Sequence, residues 1–186
     1  ILPGNYEERI KEADKVLRKQ GLEIRVGTKV TGAKLEANRV LVDVEVDGKK
    51  ETIDADYVLV SVGRKSALTG IDASALGLKL GKRGEIQVDA QMRTNLPNVY
   101  AIGDAVGGKL LAHKAEEEGV VAAEVIAGHK AHMDYKSMPS VVYTWPEIAT
   151  VGLAEHEVRE SGRKVKIGRF PFSANGRART ERPASR

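Results

Sequence analysis

The chain has 186 residues, of which 41% are hydrophobic and 30% charged, a composition that can build an apolar core and excludes a disordered polar tract. No apolar run approaches the ~20 residues needed to span a bilayer, and no signal-peptide pattern opens the chain, so a soluble, cytoplasmic protein without a membrane partner is expected. There is no cysteine, which removes a structural disulfide, a thiolate metal site and a cysteine nucleophile together.

The opening residues, Ile1-Leu2-Pro3-Gly4, read as the middle of a domain. Asn5 can cap a helix, with Glu8 completing a capping box, and Tyr6, Ile10, Ala13 and Leu17 recur at helical spacing up to a stop at Gly21. Residues 22–26 alternate like a short strand. Val40, Val42, Val44 and Val46 then alternate with Leu41, Asp43 and Glu45, which predicts a strand with one apolar face. Asp47-Gly48 is a strong hairpin signal, with residues 49–54 as the return strand. Residues 57–62 are nearly all apolar, as in a strand covered on both faces, and end at Gly63-Arg64.

Residues 68–84 are Gly-rich and loop-like. Residues 86–88 and 99–102 read as short strands, the second stopping at Gly103-Asp104. After Gly107-Gly108 a helix is predicted over 112–127, with Gly128 behind it. The last section holds the run Ser140-Val-Val-Tyr-Thr144, a helix near 155–160 and a strand at 165–170.

His129 and His132, three apart, could share a helical face, but a pair without cysteine or carboxylate support is no ligand set, and no metal is expected. The net charge of +4 is interspersed except where Arg177, Arg179, Arg182 and Arg186 cluster. With five Tyr, two Phe and one Trp there is little to stack bases on, so the tail reads as a solvated end and no nucleic-acid partner is expected.

The most informative unit is Gly103-Asp104 followed by Leu110, Leu111, Ala112 and His113. Ligands in α/β sheets sit beyond the carboxyl ends of strands, and a helix N-terminus presents free N–H groups and partial positive charge. A carboxylate beside that terminus can accept hydrogen bonds from sugar-like hydroxyls, so the pair suits a polyol linked to an electron-accepting ring. The competing reading is that Asp104 serves only as a turn or cap residue.

Four motifs in order resemble the dihydrolipoyl dehydrogenase family: Tyr100-Ala-Ile-Gly-Asp104, Leu111-Ala-His-Lys-Ala-Glu-Glu-Glu-Gly119, Pro139-Ser-Val-Val-Tyr-Thr-Trp-Pro-Glu147 and Phe170-Pro-Phe-Ser-Ala-Asn-Gly-Arg177. The resemblance implies two cofactors, FAD and NAD. It places Asp104 on the FAD ribityl chain and Leu110, Leu111, Ala112 and His113 around the isoalloxazine ring. It places Val30 beside the adenine end of NAD and Gly63 where the backbone comes close to the nicotinamide half, a position that suits a residue without Cβ. Two departures stand out. Leu110 and Lys109 replace the family's Met and the Pro before it, and Lys65-Ser66-Ala67 replaces a Pro-Asn-like pair.

The fold class implied is α/β, with fragments of two dinucleotide-binding, Rossmann-like domains and the start of an α+β dimerisation domain. The expected segments are the second half of an NAD domain over 1–64, the returning part of an FAD domain over 65–134, and a dimer-interface segment over 135–186. No G-x-G-x-x-G occurs, and the family's redox cysteine pair is missing. Its His–Glu dyad is expected beyond Arg186, so no catalytic residue is expected in this chain. By resemblance the parent is a homodimeric flavoprotein oxidising dihydrolipoamide with NAD⁺ within a 2-oxo acid dehydrogenase complex, in the cytoplasm or the mitochondrial matrix. The alternatives are a related glutathione or mercuric reductase, or a non-catalytic interaction fragment.

Overall fold

The computed structural model describes residues 7–180. The proposed Asn5 cap lies outside them, as do Arg182 and Arg186. Two compact units divide between Gly152 and Leu153.

The first unit opens with helix α1, Glu7–Lys19. It ends as the sequence predicts. Gly21, at φ +99°, donates to Arg18 O across 3.0 Å while Leu22 N reaches back to Leu17 O across 3.2 Å, a Schellman closure that needs a left-handed residue. The strand expected at 22–26 does not form. Leu22 and Val26 are exposed and the segment makes no ladder, because period-2 patterning supplies a face but not a partner strand.

Three antiparallel strands follow, β1 (Thr28–Glu36), β2 (Arg39–Val46) and β3 (Lys49–Ala55), in the order β1-β2-β3. Val44, 2% exposed, is the buried centre of β2. Asp47 and Gly48 close the β2–β3 hairpin at φ +50° and +76°, both positive as the two central residues of a type I′ turn require. A bulge between Val30 and Gly32 shifts the β1–β2 register.

Residues 57–62 are not a strand. Tyr57, Leu59 and Val62 are 93%, 90% and 93% exposed. A strand of this composition needs neighbours on both edges and layers on both faces, and among the described residues no strand pairs with it. The strands expected at 86–88 and 99–102 shrink to single bridges, Leu80 to Ile86 and Arg93 to Tyr100. Instead of a strand running into Asp104, Gly103–Val106 forms one 3₁₀ turn.

Helix α2, Ala112–Ile126, matches its sequence signal to within a residue. Its Val121, Ala122 and Val125 bury Met92, which is fully enclosed, with Val88, Tyr100, Ala131 and Met133 packed around them. His129 and His132 follow the end of α2 and so do not share a helical face. Strands β4 (Ser140–Val142) and β5 (Ile148–Thr150) form an antiparallel hairpin.

The second unit carries α3, Glu155–Glu160, a 3₁₀ turn at Phe172–Ala174 and α4, Gly176–Thr180. The Glu157 carboxylate accepts from Ala154 N across 2.6 Å at the start of α3, and Asn175 Oδ1 accepts from Ala178 N across 3.0 Å at the start of α4. The strand expected at 165–170 is absent; the segment is irregular and exposed, again without a partner edge among the described residues.

Candidate functional site

The site is built on the short path from the 3₁₀ turn to the start of α2. Gly103 sits at φ +73°, and a Cβ added there would lie 3.3 Å from the Ala115 Cβ, so this turn approaches α2 as closely as glycine permits. The next residue, Asp104, is partly exposed. Its Oδ2 accepts from Arg64 Nη2 across 2.7 Å, and its backbone oxygen accepts from Ser66 Oγ across 2.6 Å. The segment 64–66 is thereby pinned to the turn, and Arg83 Nη2 holds Arg64 O from the other side across 3.1 Å.

Leu111 is the N-cap of α2, in extended conformation and without a side-chain cap. The first backbone N–H to turn inward belongs to Ala115, which reaches Leu111 O across 3.2 Å. The N–H groups of Ala112, His113 and Lys114 therefore precede the first intrahelical bond and form the electropositive end of the helix. No acidic side chain occupies that first turn to neutralise it. His113 Nε2 lies 2.9 Å from Pro139 O, and Lys109 Nζ donates to Met138 O across 3.2 Å, tying the helix start to the residues ahead of β4.

Behind the turn lies a buried ion pair. Lys114 and Glu118, one helical turn apart, are 1% and 0% exposed. Lys114 Nζ donates to Glu118 Oε1 and Oε2 across 2.8 and 2.9 Å and to Gly103 O across 3.1 Å. Glu118 Oε2 accepts from Gly103 N across 2.7 Å, and Oε1 accepts from Tyr135 OH across 2.7 Å. Both backbone polar groups of Gly103 are thus satisfied by one side-chain pair. Desolvation first, then the hydrogen bond to the Glu118 carboxylate and its negative charge, push the Tyr135 hydroxyl pKa well above the usual tyrosine value.

Five sequence-predicted residues, Asp104, Leu110, Leu111, Ala112 and His113, fall along this one path. Gly63 is in the extended segment just before Arg64, at φ +115°, with open space where a Cβ would point. Val30 stands in β1, 64% exposed, rather than in a core. Sequence reasoning missed Arg64 as the partner of Asp104, and it missed Lys114, Glu118 and Tyr135. A Lys and a Glu at i,i+4 look like an ordinary surface pair; what marks this one is the backbone of Gly103, which has no sequence signature.

The arrangement offers an acceptor carboxylate suited to hydroxyls and, at the helix start, N–H donors ahead of the first intrahelical bond that suit an electron-rich ring edge. Among the described residues, no group of three His, Asp or Glu side chains is placed to hold a metal ion, and no helix is long and apolar enough to cross a membrane.

Comparison with known proteins gives the following. Residues 1–119 match the family described as pyridine nucleotide-disulphide oxidoreductase, and residues 138–185 match the dimerisation domain of that family. The chain is 45% identical over 173 residues to the mitochondrial dihydrolipoyl dehydrogenase of Cricetulus griseus and 44% identical to that of Homo sapiens, matches that cover 91% of the chain and 34% of each relative. It therefore spans about a third of the length of these relatives. Among solved structures, the Cu(II) complex of the HOCl-induced flavoprotein disulfide reductase RclA from Escherichia coli superposes with a TM-score of 0.84 at 26% identity, over 96% of this chain and 41% of that one.

Proposed function

Because the chain belongs to the pyridine nucleotide-disulphide oxidoreductase family, we propose that it supplies the flavin-holding turn of a dihydrolipoyl dehydrogenase, together with part of its NAD-facing and dimer-forming surfaces. The observation that carries this reading is the close approach of the turn bearing Asp104 to the first turn of α2, where Gly103 faces Ala115 and the helix N-terminus has no side-chain cap. Identity of 44–45% to dihydrolipoyl dehydrogenases, against 26% to the RclA reductase, supports that reaction over a related reductase.

The residues present fit FAD. Asp104 is an acceptor for ribityl hydroxyls. The N–H groups of Ala112, His113 and Lys114 are donors for the electron-rich edge of the isoalloxazine, and that contact is indifferent to Leu110 standing where relatives carry Met. Gly103, with its N–H and C=O held by Glu118 and Lys114, ties the turn that carries Asp104 to α2. Gly63 leaves room for the backbone to approach a nicotinamide, and Val30 is exposed enough to meet an adenosine. When bound, FAD supplies the electron transfer between a dithiol and NAD⁺. The dithiol chemistry itself requires cysteines that this chain does not contain. The parent is proposed to work as a homodimer within a 2-oxo acid dehydrogenase complex, with residues 138–185 at the dimer contact.

The test uses the full-length protein, the product of the whole reading frame that contains this chain. A charge-assisted hydrogen bond contributes roughly 1.5–3 kcal/mol. Asp104→Ala should therefore release FAD about ten- to a hundredfold more readily, read by flavin fluorescence on dilution. Asp104→Asn keeps an acceptor oxygen and should lose less, and Leu110→Met should be nearly silent. FAD held by Asp104→Ala as tightly as by the parent would reduce Asp104 to a turn residue.

A further inference from the structure

The buried set behind the turn is more than the turn needs for stability. An apolar pair could fill the space of Lys114 and Glu118, and such replacements are often neutral or stabilising. What an apolar pair could not do is hold both the N–H and the C=O of Gly103, and so fix the peptides on either side of it. The orientation of the peptide entering Asp104 is set by those two bonds. Tyr135 enters the same set from a different part of the chain, beyond the end of α2, and its hydroxyl donates to the carboxylate oxygen not used by Gly103.

We infer that Tyr135 is a positioning residue for flavin retention. By donating to Glu118 Oε1 it fixes the rotamer in which Oε2 grips Gly103 N, and so sets where Asp104 presents its carboxylate. This rests on the proposed flavin role of Asp104. Glu118 accepts four hydrogen bonds: from Lys114 on both oxygens, from Gly103 N and from Tyr135 OH. Among the described residues, only the bond from Tyr135 originates outside α2 and the turn itself. Its removal leaves the ion pair intact but takes away one of the bonds that hold the carboxylate's last torsion, a soft, broad well. Tyr135 is 43% exposed, so loss of its hydroxyl opens no core cavity.

Three variants of the full-length protein test this: Tyr135→Phe, Asp104→Ala and the two combined, each read by the FAD dissociation rate, by the flavin absorption spectrum and by the thermal midpoint of the flavin-free protein. Tyr135→Phe should release FAD about fivefold faster, the change that one ordinary net hydrogen bond carries. It should also shift the visible flavin band, and the flavin-free midpoint should fall by no more than the loss of one hydrogen bond to a carboxylate brings. In the Asp104→Ala background Tyr135→Phe should add nothing further, since both act through one carboxylate. A merely structural Tyr135 would lower the midpoint and leave the spectrum alone, which overturns the inference. Unchanged retention in Tyr135→Phe beside weakened retention in Asp104→Ala also overturns it, yet leaves the flavin reading standing. If Asp104→Ala itself holds FAD normally, the reading fails and takes the inference with it.

Discussion

Arg64 and Asp104 are joined across 2.7 Å, although forty positions separate them in the chain. The pair closes the segment carrying Gly63 against the turn that leads into α2, so the proposed nicotinamide-side glycine and the proposed ribityl-side carboxylate share one salt bridge. The side chains are 69% and 41% exposed, so water screens the pair and the bond positions more than it stabilises.

Within Gly103–Val106, Gly103 alone holds a positive φ. Gly103→Ala places a Cβ 3.3 Å from Ala115 and holds an L-residue at φ +73°. A strained backbone of this kind costs about 1–3 kcal/mol. The expected outcome is a lowered denaturation midpoint in urea together with weaker FAD retention. Gly108→Ala, at φ +70° but facing open space, should cost less.

Lys114→Met leaves the Glu118 carboxylate buried without its ammonium. Breaking a buried pair from one side destabilises by about 3–5 kcal/mol. The double variant Lys114→Met, Glu118→Leu removes the stranded charge and should recover much of that loss. A remainder of about 1–3 kcal/mol is expected from the unpaired N–H and C=O of Gly103. Urea unfolding of the single and double variants of the full-length protein checks the order.

Tyr135 should ionise well above the usual tyrosine range. Its folded pKa is raised, because a phenolate there would be poorly solvated, would lose its bond to Glu118 and would face a carboxylate. The stabilisation it provides is therefore complete below the ordinary tyrosine pKa of about 10, and is lost as pH rises from there through the folded value. A spectrophotometric titration of tyrosinate absorbance should show a late step that Tyr135→Phe abolishes.

The 186-residue chain by itself should not reduce NAD⁺ in the presence of dihydrolipoamide and added FAD, because it has no cysteine to accept the dithiol's electrons. NADH formation followed by absorbance checks this. The same preparation should self-associate. Tyr57, Leu59, Val60 and Val62 leave an apolar extended segment open to water, with ladder groups that another copy can pair. Sedimentation at several concentrations should show species larger than a monomer.

What could be read from sequence was whatever the chain decides locally. Asp47-Gly48 specifies its hairpin because positive φ at both residues is a property of those two residues. The ends of α1 and α2 are set by glycines a few positions away. Residues 57–62 and 165–170 carry strand composition but form no strand, since a ladder is a property of two segments and among those described none lies alongside. The candidate site was legible as a motif, Gly-Asp followed by a helix start. Its support was not, because Lys114 and Glu118 are matched to a backbone unit, and backbone is the same at every position.

The three-stranded sheet has a further consequence, in time rather than in space. All its pairings lie between Thr28 and Ala55, and a two-residue turn joins β2 to β3. Closing such a short loop loses little chain entropy, and hairpins of this kind form in roughly 1–10 μs. During synthesis the meander can therefore finish its pairing before the ribosome has released Gly103, let alone Tyr135, since chains grow at only about 5–20 residues per second. The Asp104 turn, whose contacts reach back to Arg64 and forward to Tyr135, must be assembled afterwards, once the sheet has already folded.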